Sequence, residues 1–325
     1  MARGRDQALA AALSLDPANM SVSSIGGSGF ATTLKVQAGD QRFFVKTGHG
    51  AAAKTMFLGE YESLNAINSA VPDLCPRAIA HGELGGGGYF LATEFLELGS
   101  GFSFRRGSGA NASSLAGKLA KLHTQPAPSE GRYGFPVTTC CGSTSQDNTY
   151  EDSWPSFFIN RRLLPILRSC EESNGPQADL KTYVNRTVPI AQYLLSRLSA
   201  QSAKPVVIHG DLWSGNKSHG SIPPRVPAAT PVVYDPSGCY APAEYDHGIM
   251  TLFGGFDSSF WREYESVVAR GEPVAEYEDR VSLYRLYHIL NHYALFGGGY
   301  KSSAVGVMKE LQSKYSEKVK EAGNS

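Results

Sequence analysis

No stretch of this 325-residue chain approaches the ~20 consecutive apolar residues of a membrane-spanning helix, which argues against a membrane protein. The segment Met1–Ala12 is polar and then alanine-rich, without the apolar core of a secretory signal. Excess charge is missing as well. Thirty Lys plus Arg balance thirty Asp plus Glu, and no long basic block occurs, so neither nucleic acid nor a membrane surface is the expected partner. The five cysteines (Cys75, Cys140, Cys141, Cys170, Cys239) are odd in number and contain no CxxC pair. They specify neither a zinc cage nor a disulfide framework, and the adjacent Cys140 and Cys141 read as small packing residues. A reducing cytoplasm is the compartment that fits.

What is present suffices for a core: 42% of residues are hydrophobic and 18% charged, which excludes global disorder. The length suits one large domain or two modest ones. Residues 6–15 could form a short helix. Val22–Ile25, a glycine turn at Gly26–Gly29, Thr32–Gln37, a turn at Ala38–Asp40 and Arg42–Thr47 predict an antiparallel meander. Residues 54–69 have helical periodicity, and Tyr89–Leu96 predicts a further strand. An irregular Gly/Ser segment follows at 99–111. Beyond it the pattern is mainly helical, with helices predicted at 114–123, 154–169, 178–198, 244–253, 260–269, 278–296 and 304–322. The stretch Lys217–Pro231, with four prolines, reads as an exposed loop or a distorted hairpin turn. The fold class predicted is α+β and bilobal: a small antiparallel β-rich lobe over 1–93, a connector at 94–98 and a larger, mainly helical lobe over 99–325.

The chemistry is concentrated in Val206-Val-Ile-His209-Gly-Asp211-Leu-Trp213-Ser-Gly-Asn216 and in Pro231-Val-Val-Tyr-Asp235-Pro. One apolar strand delivers Asp211 into a loop with Asn216 five residues on, and a second apolar strand ends on Asp235. These are the parts for moving a phosphoryl group: a carboxylate that accepts a hydroxyl proton, and an amide oxygen and a carboxylate that hold magnesium. Protein kinases write the site as His-Arg-Asp, Asn and Asp-Phe-Gly; Gly210 and Pro236 in this chain point to a small-molecule branch. Upstream, Gly26, Gly27 and Gly29 form a weak phosphate-loop signal on their own. Lys46 closes the run Phe43-Phe-Val45. On the 54–69 helix Glu60 falls within about 60° of Leu64 and Ile67, inside the apolar stripe, where a carboxylate is costly unless paired. Lys46 is the obvious partner. His209 reads as a buried scaffold group.

The strings His209–Asn216, Tyr234-Asp-Pro236, Glu244-Tyr-Asp246, Phe253-Gly-Gly-Phe256 and Leu290-Asn-His-Tyr293 resemble the fructosamine/ketosamine 3-kinase family. Met56–Glu60, Thr138–Gly142 and Trp154–Phe158 extend the resemblance over nearly the whole chain, and Leu-Trp-Ser-Gly-Asn separates it from aminoglycoside and choline kinases. The resemblance implies a protein-kinase-like fold and ATP-dependent phosphorylation of the 3-hydroxyl of ketosamines, which destabilises the adduct and begins protein deglycation. It implies Asp211 as the catalytic acid, Lys46 and Glu60 as the phosphate-positioning pair, and Asn216 and Asp235 as ligands of Mg2+. The backbone of Glu94-Phe95-Leu96 would read adenine, Asp246 would brace the catalytic loop, and Trp213 would form a substrate wall. His288, Asn291 and His292 are weaker pocket candidates. Some relatives carry a cysteine in the glycine loop that supports redox-linked dimers; residues 26–33 here have none, and a monomer is expected. The competing readings are another small-molecule kinase, of an amino sugar or amino alcohol, and an inactive nucleotide-binding scaffold, against which the intact Lys46/Glu60/Asp211/Asn216/Asp235 set argues.

Overall fold

The computed structural model describes residues 6–27, 29, 31–99 and 113–323. The Gly/Ser segment expected at 99–111 lies outside them apart from Gly99, as do Ser28 and Phe30 of the glycine turn. A short helix α1 (Gln7–Ala12), capped by the Asp6 carboxylate, leads into β1 (Ser21–Gly27), β2 (Thr32–Ala38) and β3 (Gln41–Gly48). Helix α2 (Gly50–Ala70), β4 (Ala78–Glu83) and β5 (Tyr89–Glu94) complete a five-stranded antiparallel sheet of order β1-β2-β3-β5-β4. Alternation along β2, β3 and β5 puts Val36, Val45, Phe90 and Ala92 on one face, where Leu9, Leu13 and Met20 cover them as a small core. Sequence reading anticipated the meander and missed β4, whose Ala-Ile-Ala-His-Gly-Glu has little strand propensity and owes its state to pairing with β5.

The second part is mainly helical. A two-residue strand β6 (Glu97–Leu98) precedes α3 (Leu115–Thr124), the hairpin β7 (Thr139–Cys141)/β8 (Thr144–Gln146), α4 (Trp154–Phe158), α5 (Leu164–Asn174) and α6 (Ala178–Ser196). Next come β9 (Val206–Ile208), β10 (Lys217–Ile222), β11 (Val226–Val233), β12 (Cys239–Ala241), α7 (Glu244–Leu252), α8 (Ser258–Glu265), α9 (Tyr277–Phe296) and α10 (Tyr300–Gly323). Between α4 and α5 the chain makes a π-helical turn over Ile159–Leu163, next to Pro165, which has no N–H to donate; the Arg161 carbonyl accepts from the Arg162 side chain instead. The helix expected at 260–269 lies earlier, because the Asp257 carboxylate caps the N–H groups of Ser259 and Phe260. Of the two readings of the proline-rich stretch, the distorted hairpin is the one found: β10 and β11 pair antiparallel with an irregularity between Gly220 and Ile222, and β6 joins β10 through Gly220–Leu98 and Ser221–Glu97. No helix among the described residues is long and apolar enough to cross a membrane.

One large core runs under α2–α10 and includes Phe57, Leu64, Ile67, Leu119, Phe157, Leu212, Tyr284 and Leu290. Within it Glu244 of α7 and Arg280 of α9, both buried, form a two-pronged ion pair at 2.8 and 2.9 Å, and Arg280 also donates to the Gly271 carbonyl at 2.7 Å. The pair fixes the helix that carries Asp246. Removing one partner of a buried pair leaves the other charge without compensation, so Arg280→Ala should cost about 3–5 kcal/mol of stability. Urea unfolding followed by circular dichroism checks this; a loss below about 1 kcal/mol would mean that the pair contributes little beyond packing.

Candidate active site

Strand β9 ends at Ile208 and releases His209-Gly-Asp211 into a loop whose backbone is held from below. The Asp246 carboxylate, on the first turn of α7, accepts the N–H of His209 at 2.8 Å and of Gly210 at 2.7 Å, and receives His123 Nε2 at 3.2 Å. Burial alone would raise its pKa, yet His123 and these donors hold it below the usual carboxylate range. His209 is fully buried; its Nδ1 accepts from the Asp211 N–H at 3.2 Å and its Nε2 faces the Tyr234 carbonyl at 3.1 Å. That bonding requires a neutral ring with the proton on Nε2, and burial lowers its pKa accordingly. Gly210 sits at φ +78°, and a Cβ there would lie 2.0 Å from the Ser237 carbonyl oxygen. An arginine is therefore sterically impossible at this position, which accounts for the Gly that separates this loop from His-Arg-Asp.

The loop turns through a 3-10 segment, Ser214–Asn216, and the Asn216 amide donates to the Asp211 carbonyl at 2.8 Å and to its carboxylate at 3.2 Å. With its Nδ2 so engaged, Asn216 keeps its Oδ1 for a cation or another donor. Tyr234 N–H bonds the Asn216 carbonyl at 3.1 Å, which brings the end of β11 alongside and sets Asp235 next to the loop. Asp235 is half exposed and adopts φ +56°, a left-handed conformation that costs a non-glycine residue on the order of 1–3 kcal/mol. Burial and the neighbouring Asp235 push the Asp211 carboxyl up to about 7, against the opposing hydrogen bonds from Asn216 and Cys141.

Across the cleft, Lys46 on β3 meets Glu60 on α2 at 2.7 and 2.8 Å and Asp235 at 2.8 Å. Burial would lower the Lys46 pKa, but the two carboxylates outweigh it and hold the ammonium charged. The Glu60 position depends on Gly59: a Cβ there would lie 2.7 Å from the Thr138 carbonyl, so only glycine lets the stretch leading into β7 lie flat on α2. Ile25, Gly26, Gly27, Lys46, Asp211 and Asp235 line one cavity of about 570 Å³, within the usual range for a small-molecule site. Gly26 and Gly27 end β1 rather than forming a free loop, and Gly29 lies exposed beyond them.

The connector residues Glu94 and Leu96 line the same cavity, whereas the Phe95 ring turns away under Lys35 and Arg42. The Glu94 N–H is occupied by the Arg77 carbonyl at 2.9 Å, and the Glu94 carbonyl, which accepts from the Thr93 hydroxyl at 3.0 Å and has a second lone pair, and the Leu96 N–H are the groups that could face a base. Sequence reading missed Arg225, at the tip of the β10–β11 hairpin. Its guanidinium clasps the Glu94 carboxylate, at 3.0 Å from Nε, and also reaches the carbonyls of Pro72 and Cys75. No local signal marks it, because the partners lie more than a hundred residues apart.

Trp213 is 37% exposed, lines the cavity, and packs edge-on to Phe253 with ring centroids 5.8 Å apart. His292 stands behind Phe253 at 4.8 Å, one ring further from the cleft. His288 and Asn291 are buried and do not line it. Asn291 instead donates to the Cys141 carbonyl at 3.2 Å, tying α9 to β7. Cys140, which sequence reading assigned to packing, and Gly142 both line the cavity with Asp211.

A family model described as fructosamine kinase matches residues 3–314. The chain is 30% identical over 316 residues to a ketosamine-3-kinase of Mus musculus, covering 90% of this chain and 96% of that one. It is 33% identical over 292 residues to a chloroplastic protein-ribulosamine 3-kinase of Arabidopsis thaliana, covering 89% and 82%. Among solved structures, one assigned as a fructosamine-3-kinase from Haemophilus somnus superposes with a TM-score of 0.73 at 22% identity, covering 95% of this chain and 97% of that one. An aminoglycoside phosphotransferase in ternary complex with AMP-PNP and hygromycin B gives 0.55 at 10%, covering 89% and 92%. At such identities the two structures show the fold alone, and it is kinase-like.

Proposed function

Because the chain belongs to the fructosamine kinase family, we propose that this ATP-using kinase phosphorylates the 3-hydroxyl of ketosamines, the fructosamine and ribulosamine adducts of proteins and small amines, and so begins deglycation. The observation that carries the reading is the convergence of Lys46–Glu60, Asp211, Asn216 and Asp235 on one cavity with Trp213 at its rim.

The roles follow from geometry and charge. We place the nucleotide lobe at 1–93, the connector at 94–98 and the catalytic and substrate lobe at 99–325. Gly26, Gly27 and Gly29 would cover the phosphates, Lys46 would hold them, and Glu60 would keep Lys46 in place. The base would meet the backbone of Glu94–Leu96, with Arg225 steadying that connector through Glu94. Asp211 would accept a hydrogen bond from the 3-hydroxyl, orient it in line with the terminal phosphate and take its proton as the new P–O bond forms and ADP leaves. The donors present fit magnesium: Asn216 Oδ1 and the half-exposed Asp235 carboxylate are hard oxygens side by side on the cleft. A magnesium ion held there would neutralise and orient the phosphates. The five free cysteines support a reducing cytoplasm, where we place the protein as a monomer.

Trp213 offers its exposed face to the sugar, and stacking on a C–H face is worth about 1–3 kcal/mol. Trp213→Ala should lower kcat/KM for a ketosamine about 10–100-fold and leave ADP affinity and Tm near wild type. Kinetics with a ribulosamine beside calorimetric ADP titration measure this. A lower Tm with unchanged ketosamine KM would make Trp213 a packing residue of the Phe253 contact.

A further inference from the structure

Directly behind the proposed base lies a group whose polar atoms have no account in the chemistry above. His288 is fully buried on α9, packed between Tyr287 at 5.1 Å and Tyr245 at 6.1 Å, and neither ring nitrogen has a hydrogen-bond partner. A neutral imidazole carries one donor and one acceptor, and leaving both unmet in a dry interior is costly. One His288 nitrogen, the Cys141 sulfur and an Asp211 carboxylate oxygen all lie within 4.8 Å of one another. Asn291, one turn along α9, fixes this arrangement by holding the Cys141 carbonyl.

We propose that Cys141, Asp211 and His288 form an inhibitory site for a thiophilic divalent cation of the zinc type, which captures the carboxylate that the reaction needs. For three donors so spaced some point always lies within about 2.8 Å of all of them, whereas zinc bonds nitrogen, oxygen and sulfur at ~2.0–2.3 Å, so closure takes a shift of less than about 1 Å. Sulfur, imidazole and carboxylate together are a borderline-soft donor set, unlike the all-oxygen pair Asn216 and Asp235 that suits magnesium. Three protein ligands leave a fourth position for water or the acceptor hydroxyl. The imidazole is already a free ligand: burial, then His292, pushes its pKa down to about 3. The thiol is held protonated by burial, so binding must release its proton to solvent, and affinity should rise with pH. Asp235 and Asp246 add negative field around Asp211, and Arg162 is the opposing charge beside Cys141. The inhibitory half rests on Asp211 being the base; the binding half does not.

Cobalt(II) is the probe, because a cobalt–thiolate bond gives a charge-transfer band in the near ultraviolet. Titrating the chelator-stripped enzyme should produce that band with one equivalent of cobalt, and zinc should abolish it. Cys141→Ser and Cys141→Ala, each confirmed folded by circular dichroism, should lose the band, and Cys140→Ser should keep it. In assays with saturating Mg-ATP, buffered zinc should inhibit wild type with no relief from added magnesium. Cys141→Ser should need at least ~10-fold more zinc for half-inhibition relative to its own zinc-free rate. No band in wild type, a band retained without Cys141, or unchanged zinc sensitivity in Cys141→Ser would each overturn the site. A full, unweakened band in Asp211→Asn would remove Asp211 from the ligands and overturn the site, whereas an Asp211→Asn enzyme with a weakened band that still turns over would instead count against Asp211 as the base.

Discussion

Asp211→Asn is expected to cripple turnover while sparing the nucleotide: kcat should fall by about 10²–10⁴-fold, the range for a positioned acid–base group, and ADP affinity should stay near wild type. The amide preserves the shape of the loop and its hydrogen bond to Asn216, so the loss isolates proton acceptance and hydroxyl alignment. The wild-type pH profile carries the same information. Burial and Asp235 raise the Asp211 pKa to about 7, and its working form is the carboxylate. The rate should therefore climb as pH rises through about 7 and fall away below it, with magnesium at Asp235 drawing the leg to lower pH. Asp211→Asn should lack that leg. Equal kcat in the variant and wild type would remove Asp211 from the mechanism.

The second large effect belongs to Lys46. One ammonium bridges the buried Glu60 and the half-exposed Asp235 at 2.7–2.8 Å. Lys46→Met should remove the proposed phosphate contact and leave Glu60 a buried carboxylate without its cation, which will take up a proton or swing α2 outward. We expect kcat/KM for ATP to drop about 10²–10³-fold, as for loss of one preorganised charge-stabilising donor. Asp235→Ala should act differently: ADP still binds, but its affinity no longer depends on magnesium. Calorimetry of ADP with and without the metal separates the two. A wild-type magnesium dependence in Asp235→Ala would reassign the metal site.

The parts of the site that sequence made legible are those whose chemistry conflicts with their surroundings. Glu60 stood out because a carboxylate inside an apolar stripe needs a cation, and Lys46 supplies it. Asp211, Asn216 and Asp235 stood out as polar residues at the ends of apolar strands. Helix α9 gave no such contrast. It is buried on nearly every face, so periodicity could not tell which side of it meets the cleft. Its polar residues were therefore read as pocket candidates, whereas His288 and Asn291 face Cys141 behind the cavity. The prolines of 217–231 left a loop and a distorted hairpin turn both open, and alanine and glycine hid β4; each is a strand through pairing with the next strand of the chain, β10 with β11 and β4 with β5, and β6 then joins β10 from far upstream. Arg225 and Cys141 gained their positions only from that tertiary assembly.

The measurement that bears most directly on the central claim is phosphorus NMR of the product formed from ATP and a panel of acceptors: a fructosamine, a ribulosamine, a psicosamine, an amino sugar and an amino alcohol. The account predicts one new sugar-phosphate resonance, coupled to the proton on carbon 3 of a ketosamine, appearing in step with ADP and absent in Asp211→Asn. Faster phosphorylation of the amino sugar or amino alcohol, or phosphate on a different ketosamine hydroxyl, would contradict it.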